Sequence, residues 1–338
     1  MSLKTNLPTT TELPVASPGS PIAVEGESSN MQRFLRSSLR FVLVGMLIYL
    51  ALYIASEQLV YNYAKRNRFF DVKTAPLAEY DYVILGASHA AALDYEDMTP
   101  RLEQMTNSKI INLSELGAGV MFNRTLLDYF LVSHRTQAVV YVVDSFAFYS
   151  QTWNEDRFND TGLFVRAPFD PALVQVLLQQ PASRSALLDY VLGFSKINNP
   201  NRFAPDINDD ERTRFNTTYR PVKQIDQQRL DYLYPKQIDQ ATFQRYLGQF
   251  EDMVISLQAR NIRVIAIKPP VPTRFYQVIP GEAEFDQALQ AVLGERNVEF
   301  HDFSLVGNDE KFYFNTDHLN RTGVLNFFEN SLKGVLAQ

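Results

Sequence analysis

The stretch Tyr80–Tyr95, YDYVILGASHAAALDY, decides how the rest of the chain is read. An apolar run, Tyr82-Val83-Ile84-Leu85, leads straight into Gly86-Ala87-Ser88-His89 and an alanine-rich segment. That is the pattern of a buried strand, a tight turn and a helix start. A glycine just after a strand permits the turn, and the helix N-terminus aims backbone N–H groups at whatever binds there. Serine at such a turn can present its Oγ to a carbonyl carbon while its own N–H helps to hold an oxyanion. The alternative is that Ser88 is a small residue in a strand-to-helix loop, because short G-x-S runs recur by chance.

Outward from this stretch, short apolar runs alternate with amphipathic segments. Strands are expected at 81–85, 109–112, 138–143, 262–267 and 297–301, and helices near 94–105, 121–132, 241–259, 283–293 and 322–336. Apolar strands separated by helices predict an α/β fold with a parallel sheet covered on both faces. Residues 146–238 break the rhythm. They hold the single tryptophan and a long polar run, and read as a helical insertion or cap over the sheet's functional edge. KQIDQ occurs twice there, at 223–227 and 236–240, too little for a repeat architecture.

Residues 1–30 are rich in Pro, Ser and Thr and read as a disordered tail. Residues 31–60 then carry an apolar span, uncharged from Phe41 to Ser56, that reads as a transmembrane anchor. Arg33, Arg36 and Arg40 on its N-terminal flank favour an inside N-terminus, while Lys65, Arg66 and Arg68 beyond it weigh the other way. The body from residue 71 to 338 is therefore expected outside the cytoplasm, in the periplasm or at the cell surface. The chain has no cysteine, which excludes disulfides and thiolate chemistry, and its net charge of −6 gives no footing for nucleic acid.

Two further stretches fall at strand ends, where loops of a parallel sheet converge. In IINLSELGAGV (110–120), Gly117 can bring a backbone N–H to an oxyanion, and Asn112 or Ser114 can donate further; a plain helix-start loop is the alternative. In FYFNTDHLNRTGVLNFF (312–328), His318 stands among Asn315, Thr316, Asp317 and Asn320. Imidazole can take the proton that makes serine a nucleophile, and an amide or carboxylate oxygen can fix its tautomer. His89 reads as a solvent-facing helix-start residue, with substrate binding as its functional alternative. His134 and His301 are assigned no catalytic role. No two of the four histidines show ligand spacing on one helix face, so no metal and no cofactor are expected.

These three stretches, in this order, resemble the SGNH (GDSL-like) hydrolase superfamily. The resemblance spans about residues 78–145 and 260–332. It implies a flavodoxin-like three-layer fold, with Ser88 as nucleophile, Ser88 and Gly117 as oxyanion-hole donors, Asn112 and His89 near substrate and His318 as base. The family's D-x-x-H acid falls on Asn315, which leaves Asn315 or Asp317 to orient the ring. Where the family has a further asparagine donor, this chain has Asp144-Ser145. The DHLNRTG run also resembles membrane-anchored members that modify cell-surface polymers, such as the D-alanine transfer protein of teichoic acids and alginate O-acetylation proteins. The resemblance implies a serine esterase or O-acyltransferase acting on a surface or lipid-linked glycan, partnered by the membrane and by a membrane protein that supplies acyl donor. The altered acid and asparagine positions carry the rival reading, a catalytically degenerate binding or assembly protein of a surface-polymer pathway.

Overall fold

Five parallel strands form one sheet in the order β2-β1-β3-β4-β5. A computed structural model describes residues 25–63, 67–159, 163–164, 166–198 and 207–337. The chain divides into two units, residues 1–52 and 53–338. In the first, the expected disordered tail falls mostly outside the described residues, and helix α1 (Glu25–Tyr63) begins within its last residues and runs on into the second unit. From Asn30 to Tyr63 this helix is long and apolar enough to cross a membrane, with mean hydropathy 2.0 over its most apolar window and none of that window buried.

The second unit continues with α2 (Arg68–Lys73), β1 (Glu79–Leu85), α3 (Ser88–Ala91), α4 (Met98–Thr106), β2 (Ile110–Asn112), α5 (Val120–Ser133) and β3 (Arg135–Val142). The insertion follows: α6 (Phe146–Tyr149), α7 (Pro171–Leu178), α8 (Arg184–Leu192), α9 (Phe194–Asn198), α10 (Ile207–Arg214) and α11 (Lys223–Leu233), with short 3-10 turns between. Then come α12 (Gln240–Gln258), β4 (Arg263–Lys268), α13 (Thr273–Tyr276), α14 (Glu282–Glu295), β5 (Glu299–Asp302), α15 (Arg321–Phe327) and α16 (Lys333–Leu336). The last two are joined by a π-helical turn, Phe328–Leu332, so the single helix expected at 322–336 is a continuous rod with a wider middle turn.

Strand alternation assigns the two cores. Val83, Leu85, Val139, Tyr141, Val264 and Ala266 face one way and pack with α5, α12 and α14 through residues such as Phe130, Phe250 and Leu289. Ile84, Val140, Val142, Ile265 and Ile267 face the other way, against Leu102 of α4 and Val324, Phe328 and Leu332 near the C-terminus. Successive side chains of a strand point to opposite faces, so an apolar run without alternation is buried twice. The result is a three-layer α/β/α fold with the flavodoxin-like strand order.

Sequence reading started the body at residue 71; packing starts it earlier. Asn67 caps α2 by accepting the Phe70 N–H, and Phe69, Phe70 and Val72 are buried. Arg68, which looked like a cation flanking the span, is buried too. Its guanidinium donates to the Ser114 carbonyl at 2.7 Å and to Asp94 at 2.8 Å. The charge pattern could not separate a flank from a buried ion pair.

The register fixes what meets at the sheet's C-terminal edge. Ile84 pairs with Asn112, Leu85 with Tyr141 and Val142 with Ile267. The loops after β1, β2 and β3 therefore emerge side by side. Gly86 makes the first of them possible: its φ is 147°, and a Cβ there would lie 2.8 Å from the Val142 carbonyl and 2.9 Å from Val142 Cβ. Gly86→Ala should therefore cost about 3 kcal/mol from backbone strain and overpacking together. Urea unfolding of the variant beside the parent chain checks this; an unchanged midpoint would mean that the turn relaxes freely.

Candidate active site

Ser88 is the first residue of α3; one buried amide holds the turn before it, and two more brace the segments around it. Asn123 of α5 accepts the Gly86 N–H through Oδ1 at 3.0 Å and donates to the Gly119 carbonyl at 2.9 Å. Asn112 donates to the Ala90 carbonyl at 2.9 Å. Asn154 accepts the Met121 N–H and donates to the Ala147 carbonyl, which joins the insertion to α5. Nothing in their spacing singles out Asn123 or Asn154 in the sequence.

Ser88 and Gly117 line one cavity of about 250 Å³. Gly117 has φ 64° and packs against Trp153, whose ring would lie 2.8 Å from a Cβ at that position. The rest of the wall comes largely from the insertion: Trp153, Arg157, Glu211, Arg229 and Tyr232. The segment thus supplies much of the wall around Ser88 and Gly117. None of these residues sits in a recognisable motif.

Two buried imidazoles stand together at the same sheet edge. The rings of His89 and His318 have centroids 4.7 Å apart. His89 is not the solvent-facing residue expected. It is buried because α3 begins at the sheet edge and turns this side chain inward, where Nδ1 lies 2.6 Å from Asp144 Oδ1. Asp144 occupies the place of the missing asparagine donor, and its carboxylate serves the histidine. His89 Nε2 lies 3.7 Å from Asp317 Oδ2 and has no hydrogen-bond partner. Burial opposes a charge on His89, but the attraction of Asp144, its hydrogen bond and the attraction of Asp317 outweigh it and raise the pKa.

His318 is fully buried and stacks on Phe314. Asn315 Oδ1 accepts the backbone N–H groups of His318 (2.8 Å) and Asp317 (3.2 Å). Its amide nitrogen lies 2.8 Å and its Oδ1 3.1 Å from His318 Nδ1, so the side chain can donate to that ring nitrogen or accept from it, according to the tautomer. Burial, which no neighbour offsets fully, lowers the His318 pKa. Asp317 Oδ1, buried and without a hydrogen-bond partner, waits 3.4 Å from the same Nδ1. Its other oxygen accepts from Arg229 Nε at 3.0 Å. Arg229 Nη2 lies 3.4 Å from His318 Nε2, and no hydrogen bond among the described residues joins Ser88 Oγ to either ring.

The fold therefore brings together Ser88, Gly117, Asn315, Asp317, His318 and His89 near one edge. Asn112 does not join them as a substrate contact. Its amide is spent on Ala90 and its Oδ1 accepts from the Ser114 backbone and hydroxyl, so it braces the loop. His134 bonds the Leu77 and Val72 carbonyls, and His301 pairs with Glu299, both apart from this site. Helix-face spacing gave no metal grouping, yet His89, Asp317 and His318 each offer one ligand atom within 4.8 Å of the others. His89 comes from α3 and the other two from the loop before α15, which spacing along one helix cannot reveal. The grouping could hold a cation, although Arg229 already supplies positive charge to Asp317.

No family model matches the chain, and no curated protein matches it. Among solved structures, a GDSL-like lipase from Bacteroides thetaiotaomicron aligns at TM-score 0.38 and 10% identity, over 79% of this chain and 98% of its own. A Bacteroides fragilis protein provisionally described as an acylhydrolase aligns at TM-score 0.37 and 10% identity, over 78% of this chain and 90% of its own. A Streptococcus pneumonia protein provisionally described as a platelet activating factor aligns at TM-score 0.38 and 14% identity, over 87% and 99%. At such scores the functional weight falls on this chain's own residues. Sheet order and side-chain geometry together define the class, a three-layer α/β fold of flavodoxin-like strand order with a buried histidine pair at its C-terminal edge.

Proposed function

We propose that the chain is a membrane-anchored serine esterase or O-acyltransferase that works through an acyl-enzyme on a cell-surface or lipid-linked glycan. The observation that carries this reading is Ser88 and Gly117 lining one cavity together with Arg229, whose guanidinium holds Asp317 beside His318. Ser88 Oγ attacks an ester carbonyl, and the N–H groups of Ser88 and Gly117 receive the developing oxyanion. His318 takes the Ser88 proton on Nε2 in the tautomer that carries its own ring proton on Nδ1, where Asn315 Oδ1 accepts it. The unpartnered Asp317 Oδ1 then stabilises the imidazolium by its charge. The His318 proton goes to the leaving alkoxide, and water or an acceptor hydroxyl gives up its own proton to His318 as it breaks the acyl-enzyme. His89, held by Asp144, fixes the charge behind this exchange.

The anchor reading rests on α1. Arg33, Arg36 and Arg40 before the span support a body outside the cytoplasm, against Lys65, Arg66, Arg68 and Lys73 after it. A membrane protein that delivers the acyl donor would be the partner. The second reading is a degenerate binding or assembly protein, and one observation favours it: Arg229, not Ser88, is the group facing His318 Nε2.

A fluorophosphonate applied to the purified full-length chain separates the two. Adduct at Ser88, found by mass spectrometry and lost in Ser88→Ala and His318→Ala, is expected. A folded chain that stays unlabelled would move the assignment to the binding reading.

A further inference from the structure

One apolar patch has no place in the site. It lies on the hairpin of α8 and α9, where Leu188 is 64% exposed, Leu192 56% and Phe194 61%. Leu188, Val191 and Leu192 are spaced to share one face of α8, and Phe194 follows the Gly193 turn. A soluble surface rarely gathers large apolar groups in this way without something to cover them.

The same hairpin is fixed to the C-terminal end of α1. Gly193, at φ 69°, packs on Tyr53 so closely that a Cβ would fall 2.3 Å from its ring. Lys196 Nζ bonds Glu57 Oε1 at 2.5 Å, and the Phe169 N–H donates to Glu57 Oε2 at 2.7 Å. Ser56 and Val60 are buried, so Tyr53, Ser56, Glu57 and Val60 form the packed face of this helix end. Glu57 is also the first charge after the apolar span. Covalent continuity therefore puts Tyr53 to Glu57 where α1 leaves the hydrocarbon, whatever the tilt of the preceding residues. Tyrosine suits that level, and the Lys196 ammonium neutralises the carboxylate there.

We propose that the α8–α9 hairpin is a second membrane contact, which seats Leu188, Leu192 and Phe194 in the lipid interface beside the anchor. It rests on reading α1 as a membrane anchor. The two attachments fix how the body stands on the bilayer, since one helix alone leaves it free to swing while a neighbouring apolar face does not. An interfacial helix buries its apolar side at the headgroup boundary in this manner.

The cysteine-free chain makes the test direct. Full-length single-cysteine variants Ile48→Cys (span), Leu188→Cys and Phe194→Cys (hairpin) and Val278→Cys (exposed, outside the insertion) are labelled with an environment-sensitive fluorophore. They are reconstituted in nanodiscs with and without nitroxide-bearing lipid. Quenching at positions 188 and 194 of at least half that at position 48, with little at 278, is expected. Quenching at 48 alone would overturn the hairpin contact while leaving the anchor in place. No quenching at 48 would remove the anchor and the hairpin contact with it.

Discussion

Ser88→Ala is expected to lower acyl turnover by about 10⁴-fold or more, and His318→Ala by a similar factor, with the double variant little worse than either single. The reason is that nucleophile and base act as one unit: without the base the hydroxyl stays protonated, and without the hydroxyl the base has no proton to take. The oxyanion donors remain in both variants and set the residual rate. The pH profile identifies the base. His318 is held below the ordinary histidine value by burial, so the acid limb of kcat/KM should fall below pH 6.5. His89 is held above that value by Asp144 and Asp317 despite its burial. An acid limb above 6.5, abolished by Asp144→Asn, would transfer the base role to His89. Ester turnover measured across pH for the parent chain and Asp144→Asn decides between the rings.

The second large effect is on stability. Asp317→Asn should destabilise the body by about 3–5 kcal/mol, because it leaves the Arg229 guanidinium without its carboxylate. Asp317 is fully buried and the Arg229 side chain is 19% exposed, so a guanidinium stranded there keeps much of its desolvation cost without the attraction that offset it. Adding Arg229→Met should restore much of the loss, which a merely steric defect at residue 317 would not allow. The sign of the pH dependence follows from the same pairing. Burial works against the charge on Asp317, but Arg229, His318 and His89 outweigh it and lower the pKa from its ordinary 3.8. A depressed acid stabilises the fold fully above its unfolded value and loses that contribution as pH falls toward the folded one. The stability gap between the parent chain and Asp317→Asn should thus be constant above about pH 5 and close below pH 3.8, as chemical unfolding at stepped pH would reveal.

The central strands were legible because burial on both faces leaves an unbroken apolar run, and β1, β3 and β4 lie within two or three residues of their expected limits. The insertion was legible as helical but not in its parts. Its helices are short, their faces polar, and tertiary contacts decide where each begins. Ser88, Gly117 and His318 could be gathered from sequence because a parallel sheet sends successive loops to one edge. Arg229 and Trp153 could not, since they come from segments with no motif and meet the site only through packing. His89 was misjudged for a different reason. A helix-start histidine usually meets water, and only the position of Asp144 at the adjacent strand end shows that this one does not.

The sheet's outer strands, β2 and β5, have only three and four residues. A tethered chain of the kind proposed meets its copies in two dimensions, where crowding favours any pairing their rims allow. A long bare rim would offer a row of unpaired peptide groups to the next molecule, whereas so brief a one offers little to zip against. Residence on a surface therefore raises the encounter rate of these molecules without handing them a template for fibre growth.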